Sequence, residues 1–277
     1  MKLIIGCPIY KRDWILAQWI RCIVNQSLDI SNIGFVFETA PGDLATSQAL
    51  HAWKKLDPRI PLFIINERSD INHYEHQNNG RQWTLSKYHN MISLRNSILK
   101  TVREYQPDYY LSLDSDILLE NPNTLELLIA HVNAGADAVS PLMYMTPVGK
   151  QFPSVMTWKN KVGDTAYREG SYPIGSFFKS DIIMAAKMMS KDVYNNVDYV
   201  FHQQGEDLGW SANATSNGFS LYSASYIYAP HIMSEVHLSE YKKNGDKRSS
   251  EFLENLVKVW YNYIKLFNVI KTNLLYV

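Results

Sequence analysis

The chain has 277 residues, 46% hydrophobic and 19% charged, which is ample material for a core and too little charge for a long disordered segment. Its 27 basic and 27 acidic residues cancel, so no overall field draws it to nucleic acid or to an anionic membrane, although a local basic patch is compatible with that balance. This length bounds the chain at one large domain, or one with a satellite. Cys7 and Cys22 both lie in apolar text near the start and read as reduced core thiols of a cytoplasmic protein rather than as a disulfide framework or metal cluster. No run reaches the roughly 18 uncharged apolar residues of a membrane span. Met1-Lys2 leads straight into a strand-like run with no small-residue cleavage site after it, so no signal peptide is expected. The 18 Tyr and 7 Trp are expected mostly in packing, although flat faces with polar tips also suit sugars, bases and wet interfaces.

Residues 2–10 (KLIIGCPIY) form a near-continuous apolar run, as in a strand buried on both faces, and Asp13 opens a helix pattern through Trp14, Ala17, Ile20, Ile23 and Val24. The order repeats with a strand at 33–39, a helix from about 43 to 56 after the Pro41-Gly42 break, and a strand at 61–66. A long polar loop, 67–87, precedes a helix near 88–105, which Pro107 closes off before a strand at 109–113. Asn121-Pro122 read as the cap and first residue of a helix to Val132, followed by a strand at 138–143. Strands alternating with helices at this spacing predict an α/β fold whose doubly wound, mostly parallel central sheet is flanked by helices.

Past residue 145 the alternation loosens. The stretch 146–172, rich in Pro, Gly and aromatics with a strand candidate at 154–158, is expected to form a subdomain over the sheet's edge. Helices are predicted at 180–189 and about 206–217, and a strand of period two at 220–228. Residues 249–277 carry one long helix pattern, with Phe252, Leu256, Val259, Trp260, Tyr263, Phe267, Ile270 and Leu274 at spacings of three and four. It is expected to pack across the body of the protein, or else to pair in a homodimer or lie on a membrane surface. The domain reading is a unit over 1–240, with a nucleotide-binding half (1–120) and an acceptor half (121–240), and a C-terminal helical extension over 241–277.

In open parallel sheets ligands bind beyond the carboxyl ends of the strands. There the strand YYLSL runs into Asp114-Ser115-Asp116. Two carboxylates at i and i+2 can offer hard oxygens to one divalent cation, which in turn can neutralise a diphosphate. An EF-hand reading fails because Leu118 and Leu119 stand where an acidic ligand and a Gly are needed. A second constellation is Gly205-Glu206-Asp207-Leu208-Gly209-Trp210 at the mouth of a helix. Acids there can simply cap free N–H groups and face the positive end of the helix dipole. Their functional reading is a general base, with Asp207 taking a proton from an acceptor hydroxyl while Glu206 holds the local geometry. A third is His237, whose imidazole beside carboxylate and phosphate oxygens suits Mn2+ or Mg2+ better than zinc.

The succession IIGCPIY, Glu38 at the end of the second strand, Arg95-Asn96, YYLSLDSD, Gly175-Ser176-Phe177-Phe178, GED and His237 resembles a nucleotide-sugar glycosyltransferase of the GT-A fold, family 2-like, over roughly 1–240. That resemblance implies that the loop of Pro8, Tyr10, Lys11 and Arg12 holds the nucleotide, and that Glu38 lies near its base or ribose. It further implies that Arg95 reaches the donor, that Asp114 and Ser115 border the ribose side, and that Asp116 and His237 bind the metal, Mn2+ or Mg2+. Gly175 is then near the donor sugar and acceptor, and Asp207 is the base of an inverting transfer. FETA at the second strand replaces the commoner aspartate, and no Q-x-x-R-W motif of processive synthases follows GED, so single-sugar transfer is expected. The text around LRNSIL and DSDILLENP is also similar, more distantly, to glycosyltransferases of tailed bacteriophages, some of which act on hydroxymethylated pyrimidines in DNA.

The loop 67–87, with Tyr74, His76, Arg81 and Trp83, has the length of a functional lid. Arg81 is expected to meet phosphate, and Trp83 and Trp210 to face the acceptor. The expected activity is a metal-dependent, inverting transfer of one sugar from a nucleotide-sugar donor, a UDP-sugar, to an acceptor hydroxyl. Modified DNA is a second candidate acceptor, for which Lys87, Lys150, Lys159 and Lys161 form a possible basic cluster. The same residues are compatible with a retaining transferase, a nucleotidyltransferase or a non-catalytic nucleotide-sugar-binding module. The nucleotidyltransferase would want a Gly-rich loop where GCPIYKR has one Gly.

Overall fold

Every residue of β2 (Ile33–Thr39) and the first five of β1 (Leu3–Pro8) are buried. Both strands therefore read as continuous apolar runs, because helices cover both faces of the sheet. The computed structural model describes residues 1–70, 84–144, 153–168 and 172–244. Within them, α1 (Asp13–Val24) joins β1 to β2, and α2 (Leu44–Leu56) leads to β3 (Phe63–Glu67). Then follow α3 (Leu85–Tyr105), β4 (Tyr109–Leu113), α4 (Thr124–Asn133) and β5 (Ala138–Leu142). The next elements are strands β6 (Met156–Trp158), β7 (Ala166–Arg168), β8 (Phe177–Lys179) and β9 (Ala186–Met189). The chain continues with α5 (Lys191–Asn196), α6 (Glu206–Ser216), β10 (Leu221–Tyr228) and α7 (Glu235–Asn244).

The central sheet has eight strands in the order β3-β2-β1-β4-β9-β5-β10-β8. The pairs β1/β2, β1/β4, β2/β3 and β5/β10 are parallel. β9 is inserted antiparallel between β4 and β5, and β8 closes the edge antiparallel to β10. β6 and β7 form a separate two-stranded sheet.

Strand alternation divides the core in two. Leu3, Ile5, Phe35 and Phe37 face one layer, with Trp19 of α1 and Trp53 of α2, where the Phe35 and Trp53 rings are 4.7 Å apart. Ile4 and Val36 face the other, with Ile98 of α3, Tyr194 of α5 and Trp210 of α6. α3 lies directly on β1, since a Cβ at Gly6 would come within 2.4 Å of Ile98 Cγ2 and 2.8 Å of Tyr110. Among the described residues, no helix is long and apolar enough to cross a membrane.

Three expectations are corrected. The helix predicted at 180–189 is instead a non-helical connection after β8, with Ile182 bridged to Met156, followed by β9. Ala and Met favour a helix locally, but Ala185 has φ 49° and the residues after it fill the slot between β4 and β5, so tertiary pairing overrides propensity. The helix after β4 starts at Thr124: Asn121 and Pro122 form the turn before it, with Asn121 Oδ1 accepting from Asn123 N at 3.0 Å and Pro122 O from Ser27 N at 2.7 Å. α5 and α7 are additional to the predicted elements. The helix pattern at 249–277 and residues 71–83 of the polar loop lie outside the described residues.

Candidate functional site

The carboxyl ends of β1, β2 and β4 meet the start of β9 and the N-terminus of α6, and the predicted acids gather there. Residues 9–12 leave β1 over the sheet edge and are held by α2. Ile9 N donates to Glu38 O at 2.8 Å, Lys11 N to Asp43 Oδ2 at 2.6 Å and Arg12 N to Thr46 Oγ1 at 3.1 Å. Lys11 takes φ 51° to make this turn, and the buried Arg12 side chain points back so that Nη2 is 3.4 Å from Asp116 Oδ2. Glu38 is enclosed at the end of β2, where Oε1 accepts from Asn66 Nδ2 at 3.0 Å and Ser97 Oγ at 2.8 Å. Burial raises its carboxyl above the usual range despite these bonds.

The turn carrying Asp114, Ser115 and Asp116 is pinned by the chain after β10. Leu118 N donates to Pro230 O at 2.9 Å and Ile232 N to Asp116 O at 2.8 Å. This pairing brings His231 Nε2 to 3.6 Å from Asp116 Oδ1. His237 stands in the first turn of α7, half-buried, its Nδ1 accepting from Met233 N at 3.3 Å. Asp116 and His231 thus offer a hard oxygen and an imidazole nitrogen to one point, a donor set suited to Mn2+ or Mg2+. Among the described residues, no three His, Cys, Asp or Glu side chains converge as a complete metal shell, so an ion at Asp116 would need phosphate or water oxygens as well.

Behind this turn lies a buried charge cluster. Arg95 of α3 has no exposed surface; its Nη2 is 2.7 Å from Asp114 Oδ1 and its Nη1 donates to Ser112 Oγ at 2.9 Å. The same guanidinium reaches Glu206 Oε1 at 3.4 Å through both Nε and Nη2, and Asp207 Oδ1 at 4.0 Å. Asp207 is also paired with Lys187 of β9, and its Oδ2 accepts from Ala185 N at 3.0 Å. Three carboxylates therefore share two buried cations. Burial and then the Asp207 charge push Glu206 up to about 7. Burial alone would raise Asp207 too, but Lys187 and then Arg95 outweigh it and hold that carboxyl below its usual value. Lys187 is lowered by burial against the pull of Asp207.

The predicted residues Arg12, Glu38, Arg95, Asp114, Ser115, Asp116, Glu206 and Asp207 thus fall around one set of strand ends, with Pro8 closing β1 and Tyr10 and Lys11 in the adjoining loop. Gly175 is elsewhere: it precedes β8, the edge strand, separated from β4 by β10, β5 and β9, and its neighbour Ser176 is bonded to Ser225. Trp210 is corrected as an acceptor contact. Its indole has 0% exposure and packs 6.0 Å from the Tyr199 ring, because it faces the sheet from the inner side of α6. Trp83, with Tyr74, His76 and Arg81, lies outside the described residues, as does Lys150. Lys159 and Lys161 are exposed beside the β6–β7 turn, and Lys87 is in the first turn of α3.

Sequence reasoning missed Lys187, Asn66, Ser97 and His231. Lys187 left one signal, a single charge inside the apolar run MAAKMM, since a lysine in such text is buried only when paired. The other three are ordinary polar residues until the strand ends are brought together.

The family model for the glycosyltransferase family 25 N-terminal domain matches residues 44–169, a little under half of the chain. Procollagen galactosyltransferase 1-B of Xenopus laevis is 27% identical over 167 residues, 53% of this chain and 25% of that protein. The chain therefore spans about a quarter of that relative's length. Among solved structures, GalNAc-T7 with UDP, GalNAc and Mn2+ superposes with a TM-score of 0.60 at 12% identity, covering 84% of this chain and 44% of that one. The mannosyltransferase PcManGT from Pyrobaculum calidifontis, in complex with GDP-Man and Mn2+, gives 0.54 at 12% identity, covering 86% and 59%. The fold is that of the GT-A nucleotide-sugar glycosyltransferases, and the sequence matches fall within glycosyltransferases.

Proposed function

We propose that this GT-A-type chain transfers one sugar from a nucleoside diphosphate donor to an acceptor hydroxyl with inversion. The observation that carries the reading is the convergence of Arg95, Asp114, Glu206 and Asp207 at the strand ends, beside Asp116. Solved neighbours of the same fold hold UDP or GDP-Man with Mn2+, and a sequence relative is a galactosyltransferase, which supports a nucleotide-sugar donor, in our reading a UDP-sugar.

In this proposal Pro8, Tyr10, Lys11 and Arg12 border the nucleotide and its phosphates, Glu38 faces the base or ribose, and Asp114 and Ser115 face the ribose side. Arg95 fixes Asp114 in position. Asp116 and one imidazole, the adjacent His231 or the expected His237, would hold a divalent ion together with phosphate or water oxygens, and the ion when bound would supply positive charge for the leaving diphosphate. Gly175 belongs to the acceptor half, 121–240. The acid pair Glu206–Asp207 provides the base that takes the proton of the acceptor hydroxyl.

Donor turnover tests the reading. With Mn2+ and common UDP-sugars, wild type should release nucleoside diphosphate, and Asp116→Ala should lose most of that release while keeping its fold. Release by the variant at the wild-type rate would defeat it. NMR of the product's anomeric configuration separates inversion from retention.

A further inference from the structure

Lys187 has no part in the chemistry above, yet its ammonium is completely enclosed, 5.2 Å from the Tyr199 ring and 5.4 Å from the Trp210 ring, with Asp207 as its carboxylate partner. A lysine so placed is stable only when its charge is answered locally. Asp207 answers it with one oxygen, and its second oxygen accepts from Ala185 N at 3.0 Å. Both oxygens of Asp207 are therefore engaged by β9 and the turn before it. Glu206 is held more loosely, by the Arg95 guanidinium at 3.4 Å.

We propose that Lys187 is a positioning residue that fixes Asp207 as the structural anion of the cluster and leaves Glu206 as the general base. This rests on the glycosyl-transfer reading and divides the roles within its acid pair. Glu206 accepts the hydroxyl proton of the acceptor while that oxygen bonds to the anomeric carbon. The bond from that carbon to the diphosphate oxygen breaks, and its electron pair leaves with the nucleoside diphosphate. Groups facing Glu206 are Arg95 and Tyr88 from α3, Asp114 beyond β4 and Asp207 on α6, with Lys187 acting through Asp207. A carboxyl raised to about 7 suits a base working near neutrality, whereas one held low by an ion pair is a weak base.

The experiment compares E206Q, the paired variant K187M/D207N, and K187R on a donor and acceptor that wild type turns over. E206Q should lose transfer ~100-fold or more while binding donor normally by calorimetry. K187M/D207N removes both charges together and keeps the bond from Ala185 N, so it should fold better and turn over faster than K187M alone, which leaves the Asp207 charge buried without its lysine. K187R should retain the wild-type pH profile. In wild type the acid limb of kcat/KM should fall near the Glu206 value of about 7; a limb at about 4 or below, or an active E206Q beside a folded, inactive K187M/D207N, assigns the base to Asp207 and overturns the proposal. Should the paired variant fail to fold, the wild-type limb and K187R decide. Should no donor turn over, the glycosyltransferase reading fails and the base role with it. The Lys187–Asp207 assignment is then still decided by 13C carboxylate NMR: Asp207 must titrate low in wild type and move up in K187M, and an unmoved Asp207 overturns it.

Discussion

Arg95 Nη2 lies 2.7 Å from Asp114 Oδ1, joining the middle of α3 to the turn beyond β4 in a place where the guanidinium has no exposed surface. The arginine is the centre of the buried cluster. It is a charge that Asp114, Glu206 and Asp207 all depend on, and its own ionised form is held against burial by those three and Tyr199.

Arg95→Met should therefore destabilise the protein by about 3–5 kcal/mol, the range for removing one partner of a buried ion pair. Arg95→Lys should recover only part of this, because a point charge cannot serve Asp114, Ser112 and Glu206 from one planar fork. Urea denaturation checks both, and a midpoint for Arg95→Met equal to that of wild type would show that the cluster is not electrostatically linked.

Stability should also depend on pH through Glu206. Its carboxyl is raised in the fold to about 7, so the stabilisation from this group is complete below the unfolded value of about 4.3 and is lost as pH rises through the folded one. Glu206→Gln removes the cost of ionising a buried acid. The variant should melt higher than wild type at pH 8, by the equivalent of about 1–3 kcal/mol, with the difference vanishing towards pH 4. Thermal melts at the two pH values test this, and a variant less stable than wild type at pH 8 contradicts it.

Mn2+ affinity in the presence of UDP should fall at least ~10-fold in Asp116→Asn, measured by calorimetry, and less steeply in His237→Gln. His231→Gln tests the imidazole that lies 3.6 Å from Asp116 Oδ1. Unchanged affinity in all three variants would remove the ion from this site.

Gly209→Ala should destabilise α6 and the acids at its start. A Cβ there would lie 1.9 Å from Val200 O and 2.9 Å from Val200 C, both backbone atoms that cannot swing aside. The helix or the preceding segment must move, at a cost of about 1–3 kcal/mol or more. A lowered melting temperature together with weakened transfer is expected, and full stability would show that the helix shifts freely.

Periodicity and chain breakers alone place the strands and helices of the first half closely. α1, β2 and β4 have the bounds that apolar spacing and the Pro107 break predict, because a strand covered on both faces and a helix covered on one leave distinct local patterns. The acids at 114, 116, 206 and 207 are legible in the same way, since strand ends and helix starts are themselves local features. What those acids meet depends on the folded chain. Arg95 and Glu206 are 111 residues apart in the chain, and Lys187 meets Asp207 only because 186–189 is a strand between β4 and β5. Trp210 shows the same limit from the other side: its spacing does not say which face of α6 turns inward, and the sheet beneath it does. Which charges answer one another is set by contacts between distant segments, and such contacts leave no periodic mark on either segment.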